Sequence, residues 1–277
     1  MATRFRFKQP SIIPGFRLTF GFTLLYLGLI VVIPIIGLYV RAFSLDWDAF
    51  WPIASGPRML HAMKLSFGAS ALAALFNVLT GTIIAWVLTR YRFPGRRILD
   101  ATIDLPFALP TAVAGIALTA IYSPNGWIGS LFDFRIAYTP LGIWIALVFI
   151  GLPFVVRTVQ PVLEEVDLEV EEASATLGAS RRRTVFRVVM PTLVPAILTG
   201  FALAFARAVG EYGSVIFIAG NLPNRTEILP LLIVIRLESN QEAAAAAIAA
   251  IMLTASFLIL LLINLLQAYS RRRSGNV

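Results

Sequence analysis

Long uninterrupted apolar runs, rather than alternation at strand or amphipathic-helix spacing, dominate the pattern of hydrophobic and polar positions along the chain. A helix that crosses the hydrocarbon core of a bilayer needs about 20 mainly apolar residues. The third run is longer than that, but Ser123-Pro124-Asn125-Gly126 is a turn signal that ends the span near Tyr122. The pattern therefore predicts six spans, at residues 18–40, 65–89, 103–122, 136–156, 191–220 and 243–268.

The predicted fold class is an all-α integral membrane protein with a single transmembrane domain over residues 18–270. Of the 277 residues, 58% are hydrophobic and 14% are charged, whereas soluble domains carry about 45–50% apolar and about 25% charged residues. The chain has no cysteine and one histidine, which excludes disulfides and thiolate metal sites. With no nucleophile–base set either, we predict no catalytic residue and no metal site.

Basic residues indicate the orientation of the spans. Sixteen of the 23 Lys and Arg fall in the amino-terminal segment 1–17, the loop after the second span, the linker 157–190 and the tail 271–277. Six others lie in the intervening loops. The positive-inside rule then places both termini in the cytoplasm. The net charge of +8 therefore reports topology, and no nucleic-acid partner is expected.

The cytoplasmic linker 157–190 differs from the other, shorter connections. Six acidic residues within 164–172 precede a run of three arginines at 181–183. Acids first and arginines last suit the dipole of a helix from about Pro161 to Leu177, and Gly178 stands where a C′ glycine would end it. We predict a helix–turn–helix that projects from the membrane. An amphipathic connector with solvated charges is the alternative that composition alone favours.

The spacing within this linker resembles the EAA loop of ABC-importer permeases: Glu-Ala-Ala, three residues, Gly, nine residues, then Ile-x-Leu-Pro. The chain has Glu172-Ala173-Ser174, three residues, Gly178, nine residues, then Val188-Val189-Met190-Pro191. In that family the short helix inserts into a cleft on the ATPase subunit and transmits its motion. The resemblance therefore implies coupling roles for Glu171, Glu172, Ala173, Ser174, Gly178, Arg181 and Pro191.

Two further stretches, at 104–115 and 207–214, look like the sulfate/thiosulfate and molybdate branch of these permeases. With the loop at 90–96 and the end of the fourth span, they resemble the T-type subunit of the sulfate/thiosulfate importer over nearly the whole chain. The resemblance implies the type I, methionine-permease-like fold. It also implies a pore-forming subunit that moves sulfate or thiosulfate into the cytoplasm by alternating access, driven by separate ATPase subunits.

The same resemblance implies the partners and the location. An ABC ATPase dimer is expected on the cytoplasmic face, a sister permease in a heterodimer, and an outer sulfate- or thiosulfate-binding protein. The location is the bacterial inner membrane. The chain lacks a G-x-x-x-x-G-K-[ST] loop, so ATP and Mg²⁺ are expected on the ATPase subunits and no cofactor on this chain.

Charged residues and prolines within the spans are candidates for the translocation pathway or a gate. Intramembrane charges are costly and often functional, so Arg207 and Glu211 either line an oxyanion path or form a buried pair that fixes helix packing. Prolines in the third span predict a kink or opening near its cytoplasmic end, which is either a gate or static. The assigned residues are Asp104, Pro106, Pro110, Thr111, Arg207, Glu211 and Ser214.

Other readings stay open at this stage. Asp100 is expected to form a surface ion pair with Arg96 or Arg97, which lie within one helical turn. A molybdate or tungstate permease of the same family would carry the same motifs. A self-sufficient secondary anion transporter would instead need an internal repeat or coupling-ion sites, and no convincing repeat is evident. A homodimer also remains open.

Overall fold

Helices account for all regular structure in residues 15–273, the range that this computed structural model describes, with side chains described through residue 268. The charged residues predicted in the cytoplasm at 4–8 lie outside that range. Apart from a short 3-10 helix at Gly129–Leu131, the helices in chain order are α1 Phe16–Ala42, α2 Trp47–Ser55, α3 Pro57–Arg90, α4 Arg96–Ile103, α5 Leu105–Ala108, α6 Thr111–Tyr122, α7 Pro140–Glu165, α8 Leu168–Thr176, α9 Arg181–Val209, α10 Val215–Ala219, α11 Leu229–Glu238 and α12 Glu242–Arg273.

Five of these helices, α1, α3, α7, α9 and α12, are long and apolar enough to cross a membrane. They correspond to the first, second, fourth, fifth and sixth predicted spans, with different ends. α3 begins at Pro57 rather than 65, and α7 continues to Glu165 instead of ending at 156. α9 begins at Arg181, ten residues early, and ends at Val209 rather than 220.

The third span, predicted over 103–122 with a kink or opening near its cytoplasmic end, is not one continuous helix. The segment divides into α4, α5 and α6, and α6 has only 12 residues. Leu109 is extended (φ −85°, ψ 133°), because a residue before proline is forced out of the helical region. Pro110, which has no N–H to donate, then stands immediately before α6. The predicted opening in this span is therefore a complete break.

The core lies where α3, α7 and α9 pack against one another. Its largest cluster of buried side chains includes Leu88 of α3, Val155 and Leu163 of α7, and Leu193 of α9. Within this apolar core the fully buried Asn77 amide donates to the carbonyl oxygen of Val148 at 3.0 Å. The three helices form a rigid frame to which the shorter helices attach.

Most of α1 lies outside that frame. No residue of Phe16–Leu27, or of the π-helical turn Gly28–Val32 that follows, is buried. Near its end, Tyr39 hydrogen-bonds to Thr254 of α12 at 2.7 Å, and Ala42 packs against alanines of the same helix. The first four turns of α1 therefore present a large apolar surface that the described side chains, through residue 268, do not bury.

Candidate coupling surface and translocation site

Residues 161–177, predicted as one helix of the linker, are divided between the end of α7 and α8. α7 runs through Pro161 to Glu165, and the chain then becomes extended at Val166 (ψ 110°) and Asp167 (ψ 133°). This places the start of α8 at Leu168, with Glu169 and Glu171 in its first turn. Carboxylates there interact favourably with the positive end of the helix dipole, so the acids stabilise α8 rather than a longer helix.

Gly178 ends α8 as predicted. Its φ of +78° is a left-handed conformation that glycine adopts without the steric cost of a Cβ. The amide of Ala179 donates to the carbonyl of Ser174 at 3.1 Å, and the amide of Gly178 donates to that of Ala175 at 2.9 Å. These two bonds form a Schellman motif, which turns the chain back toward the membrane.

Two side-chain contacts hold α8 against the frame. Glu171 forms an ion pair with Arg90 at the end of α3 (2.7 Å), and the same guanidinium donates to the carbonyl of Val166 at 3.1 Å. On the other side, the Ser174 hydroxyl hydrogen-bonds to that of Thr184 in α9 at 2.8 Å. α8 is therefore fixed both to the end of α3 and to the start of α9.

The opposite face of α8 is open. Glu172, Ala173 and Gly178 are exposed, and Leu177 at the tip is 88% exposed. Arg181 begins α9 and, with Glu171 and Glu172, lines a cleft of about 410 Å³ between α8 and α3. The structure thus brings all the residues predicted for coupling together except Pro191.

Pro191 lies farther along α9, immediately after the π-helical turn Val185–Val189 and Met190. A proline supplies no N–H to the preceding turn, and a π-helical turn is one way in which a helix accommodates such an interruption. Pro191 therefore belongs to the membrane helix in this structure and not to the exposed face of α8.

The end of α9 contains the intramembrane charges. Glu211 lies beyond the helix, which ends at Val209, so only Arg207 of the two charged residues is helical. One carboxylate oxygen of Glu211 pairs with Arg207 at 2.5 Å. The other accepts hydrogen bonds from the amide and the hydroxyl of Ser214, at 2.8 and 3.0 Å. Glu211 is 2% exposed and the Arg207 side chain 34% exposed, so the cation is the accessible member.

The break after α9 lies against the start of α6. A Cβ on Gly213 would collide with the Thr111 hydroxyl, and one on Gly115 would lie 2.5 Å from the backbone oxygen of Ser214. Only glycine permits this approach of the two backbones. The structure thereby joins Pro110 and Thr111 on one side with Arg207, Glu211 and Ser214 on the other.

Asp104 and Pro106 belong to a different cluster. Asp104 accepts two hydrogen bonds from Arg157 of α7, at 2.9 and 2.6 Å. Asp100 also pairs with Arg157, at 2.7 Å, so the predicted pair with Arg96 or Arg97 is wrong. Arg157 was not recognised as a site residue, because its partners lie 53 and 57 residues away. No pattern within one helix indicates such a contact.

The sequence pattern also does not predict a further buried ion pair, between Arg58 and Glu227. Glu227, which is 1% exposed, accepts two hydrogen bonds from Arg58 at the start of α3, at 2.7 and 2.6 Å. The signal in the sequence for a buried acid is Glu227 standing immediately before the apolar residues Ile228 and Leu229. Through residue 268, the described side chains contain no group of three His, Asp or Glu that could hold a metal ion.

Comparison with known proteins identifies the family. The family described as "Binding-protein-dependent transport system inner membrane component" matches residues 77–275. The chain belongs to this family. This transport-system component is 48% identical to the sulfate transport system permease protein CysT of Salmonella typhimurium strain LT2, over 82% of this chain and 83% of the relative. The CysT protein of Synechocystis sp. PCC 6803 is 48% identical over 97% of this chain and 93% of the relative.

Solved structures show the fold of this family member. A bacterial ABC transporter that imports alginate matches 93% of this chain and 96% of its own, with a TM-score of 0.75 at 16% identity. The MetNI methionine ABC transporter matches 82% of this chain and 99% of its own, with a TM-score of 0.61 at 15% identity. The expected type I importer permease fold is confirmed, as is its class of multi-pass membrane permease.

Proposed function

We propose that this chain is the pore-forming permease subunit of an ABC importer that carries sulfate or thiosulfate into the cytoplasm by alternating access. The observation that carries the proposal is α8: a short helix, ended by Gly178 and fixed to α3 and α9, whose other face is open. Such a helix is suited to entering a cleft on another subunit. The sulfate assignment is supported by relatives that are named as sulfate transport system permeases.

Energy for transport comes from ATPase subunits that dock on α8. Leu177 offers an exposed apolar tip, and small residues beside it let a partner's surface approach closely. Since α8 is held by Arg90 and Thr184, a force applied to it reaches α3 and α9 directly. The ATP and its Mg²⁺ stay on the ATPase dimer, and this chain supplies only the docking surface.

The anion path passes the break after α9. Non-helical backbone at membrane depth is tolerated where it is buried in protein or lines a cavity, and transporters commonly bind substrate at discontinuous helices. Two such breaks meet here, and the partly exposed Arg207 stands beside them. Glu211 orients the guanidinium while burying its own charge. Arg207 is therefore the cationic element of the oxyanion path.

The remaining partners follow from the uncovered surface and from the fold. A sister permease completes the pathway and covers apolar surface such as the first part of α1. The structure of the alginate transporter contains a substrate-bound periplasmic protein, and an equivalent protein would deliver the anion here. We place both termini in the cytoplasm and the complex in the inner membrane, in agreement with the distribution of basic residues.

Reconstitution tests the proposal. The chain is placed in liposomes with its sister permease, the ATPase and the anion-binding protein, and uptake of radiolabelled sulfate is measured with and without ATP. We expect uptake that requires ATP and every subunit, and competition by thiosulfate. Uptake by this chain alone would contradict the proposal and indicate a secondary transporter. Competition by molybdate or tungstate but not by thiosulfate would contradict the anion assignment.

A further inference from the structure

Arg157 is the most highly connected side chain on the cytoplasmic side of the frame. A guanidinium has five N–H groups, and here five hydrogen bonds leave it. Two go to the carboxylate of Asp104 (2.9 and 2.6 Å), one to the carboxylate of Asp100 (2.7 Å), one to the Asp100 carbonyl (2.9 Å) and one to Gln160 (2.9 Å). Every donor is used, so the side chain holds its partners in one arrangement.

Those partners lie on the segment that leads to the break in the third apolar run. Asp100 is in α4, and Asp104 joins α4 to α5. One turn farther on, the ring of Phe107 meets that of Phe154 edge to face, with centroids 5.1 Å apart. α4 and α5 are thus attached to α7 by a polar contact and an aromatic contact in the same register. The extended residue Leu109 follows directly after α5.

The same helix leads into the coupling surface. Glu165, the last residue of α7, lies eight residues after Arg157, which is about 12 Å along the helix axis. Val166 then accepts a hydrogen bond from Arg90, which also holds α8. One continuous stretch of α7, residues 157–165, therefore connects the exposed helix α8 to the contacts that hold α4 and α5.

We propose that Arg157 is a positioning residue that makes α4 and α5 follow α7 when α8 moves, so that the break at Leu109 and Pro110 opens or closes with the ATPase. This inference rests on the proposed importer function, although it does not depend on which anion is carried. The guanidinium and both carboxylates are partly exposed, and ion pairs of that kind contribute little to stability. The planar guanidinium of arginine, by contrast, fixes the orientation of the carboxylates that it binds. Loss of Arg157 should therefore weaken the transmission of movement from α7 to α4 and α5 more than it lowers the stability of the fold.

The absence of cysteine from the chain permits a direct test without substrate. Two single-thiol chains, Leu109→Cys and Leu177→Cys, are assembled with the ATPase and the sister permease. The rate of labelling by a soluble maleimide is measured with and without ATP plus vanadate. With Arg157 present, we expect nucleotide to change the rate at the Leu109→Cys position, and ATPase docking to protect the Leu177→Cys position.

When Arg157→Gln is added to each single-thiol chain, ATPase docking should still protect Leu177→Cys from labelling. The nucleotide effect at the Leu109→Cys position should fall by roughly threefold to thirtyfold, the range typical of coupling mutations. Asp104→Asn, which is nearly isosteric, should reduce the nucleotide effect in the same way. It replaces Arg157→Gln in the test if that variant does not assemble with its partners. Arg92→Gln removes an exposed cytoplasmic charge that is outside this cluster and should leave the effect unchanged.

Several results would overturn the inference. A full nucleotide effect in both Arg157→Gln and Asp104→Asn would show that α4 and α5 follow α7 without this contact. No nucleotide effect at the Leu109→Cys position with Arg157 intact would show that the break does not move. Failure of sulfate uptake in the reconstituted importer concerns only the proposed cargo, because neither sulfate nor thiosulfate is present in the labelling experiment.

Discussion

Glu211 and Glu227 are the acidic residues that the described part of the fold buries most deeply, and each is neutralised by one arginine. An unpaired charge inside a membrane protein is costly. In both pairs the carboxylate is enclosed and the guanidinium is about one third exposed. The enclosed carboxylates therefore fix the positions of two cations that still face accessible space.

Replacing Glu211 with glutamine should destabilise the protein. The amide keeps an acceptor for Ser214 but leaves Arg207 without its counter-charge. Removing one partner of a buried polar contact costs about 1–3 kcal/mol. We therefore expect a lower Tm for the purified complex, measured by thermal unfolding in detergent.

The double variant Arg207→Gln/Glu211→Gln is the matched comparison, because it leaves no unpaired charge. We expect its Tm to lie above that of Glu211→Gln alone, since the two losses are not additive for residues in contact. If transport returns along with stability, the pair serves packing alone. A stable double variant that does not take up sulfate would support a direct role for Arg207 in the anion path.

At the scale of elements, prolines indicate the break between α5 and α6, but prolines also occur inside helices that continue without a break. Pro106 and Pro110 lie at a break, whereas Pro153 and Pro161 are inside α7 and Pro195 is inside α9. Neighbouring helices can compensate for the hydrogen bond that a proline removes. Whether a proline interrupts a helix therefore depends on packing that the local sequence does not contain.

The coupling surface was largely predictable and the ion-pair contacts were not. Gly178 and the residues before it follow from spacing within one short helix and its Schellman ending. Val166 shows no breaker at its own position, so the interruption between α7 and α8 was missed. Arg58 and Glu227 are 169 residues apart, and only the assembled fold brings them together.

Gly178→Val should weaken attachment of the ATPase while the chain still inserts into the membrane. The left-handed backbone at this position costs a residue with a Cβ roughly 1–2 kcal/mol, and nothing lies within 4 Å of a Cβ placed there. The effect therefore comes from the turn and not from a clash inside this chain. Co-purification of the ATPase with the tagged permease measures it.

Two controls separate the turn from general strain. Gly178→Asn tolerates the left-handed conformation better and should retain most of the ATPase. Gly95→Val introduces the same strain at a φ of +87° in another predicted cytoplasmic loop, also with no atom within 4 Å, and should retain all of it. Equal losses in Gly178→Val and Gly95→Val would contradict docking on α8.

The whole molecule is one part of a larger assembly. Its compact frame of α3, α7 and α9 is flanked by surfaces that no element of the described chain covers, namely the first turns of α1 and the outward side of α6, where Val113 and Ile116 are exposed. Since α6 also contacts the break after α9, the uncovered side of α6 adjoins the proposed anion path. The sister permease would close that side.

The orientation of the molecule is tested with single thiols at two highly exposed positions, Leu177 and Trp127, each 88% exposed. When the chain is produced without its ATPase, so that α8 is not covered, we expect an impermeant maleimide to label Leu177→Cys only from the cytoplasmic side and Trp127→Cys only from the outer side. Labelling intact cells and inside-out vesicles measures this. The reverse pattern would invert the predicted topology and remove α8 from reach of a cytoplasmic ATPase.

The shortness of α8 has a thermodynamic consequence for assembly. At nine residues it is below the roughly 12–15 residues at which an isolated helix becomes marginally stable in water. Arg90 and Thr184 hold it in place, and we expect its tip to fray when those two contacts loosen. A partner that docks on the tip of α8 must suppress this fraying, and the conformational entropy that α8 then loses lowers the affinity of the partner. Attachment of the proposed ATPase would thereby be reversible, and more so as ionic strength screens the Arg90–Glu171 attraction.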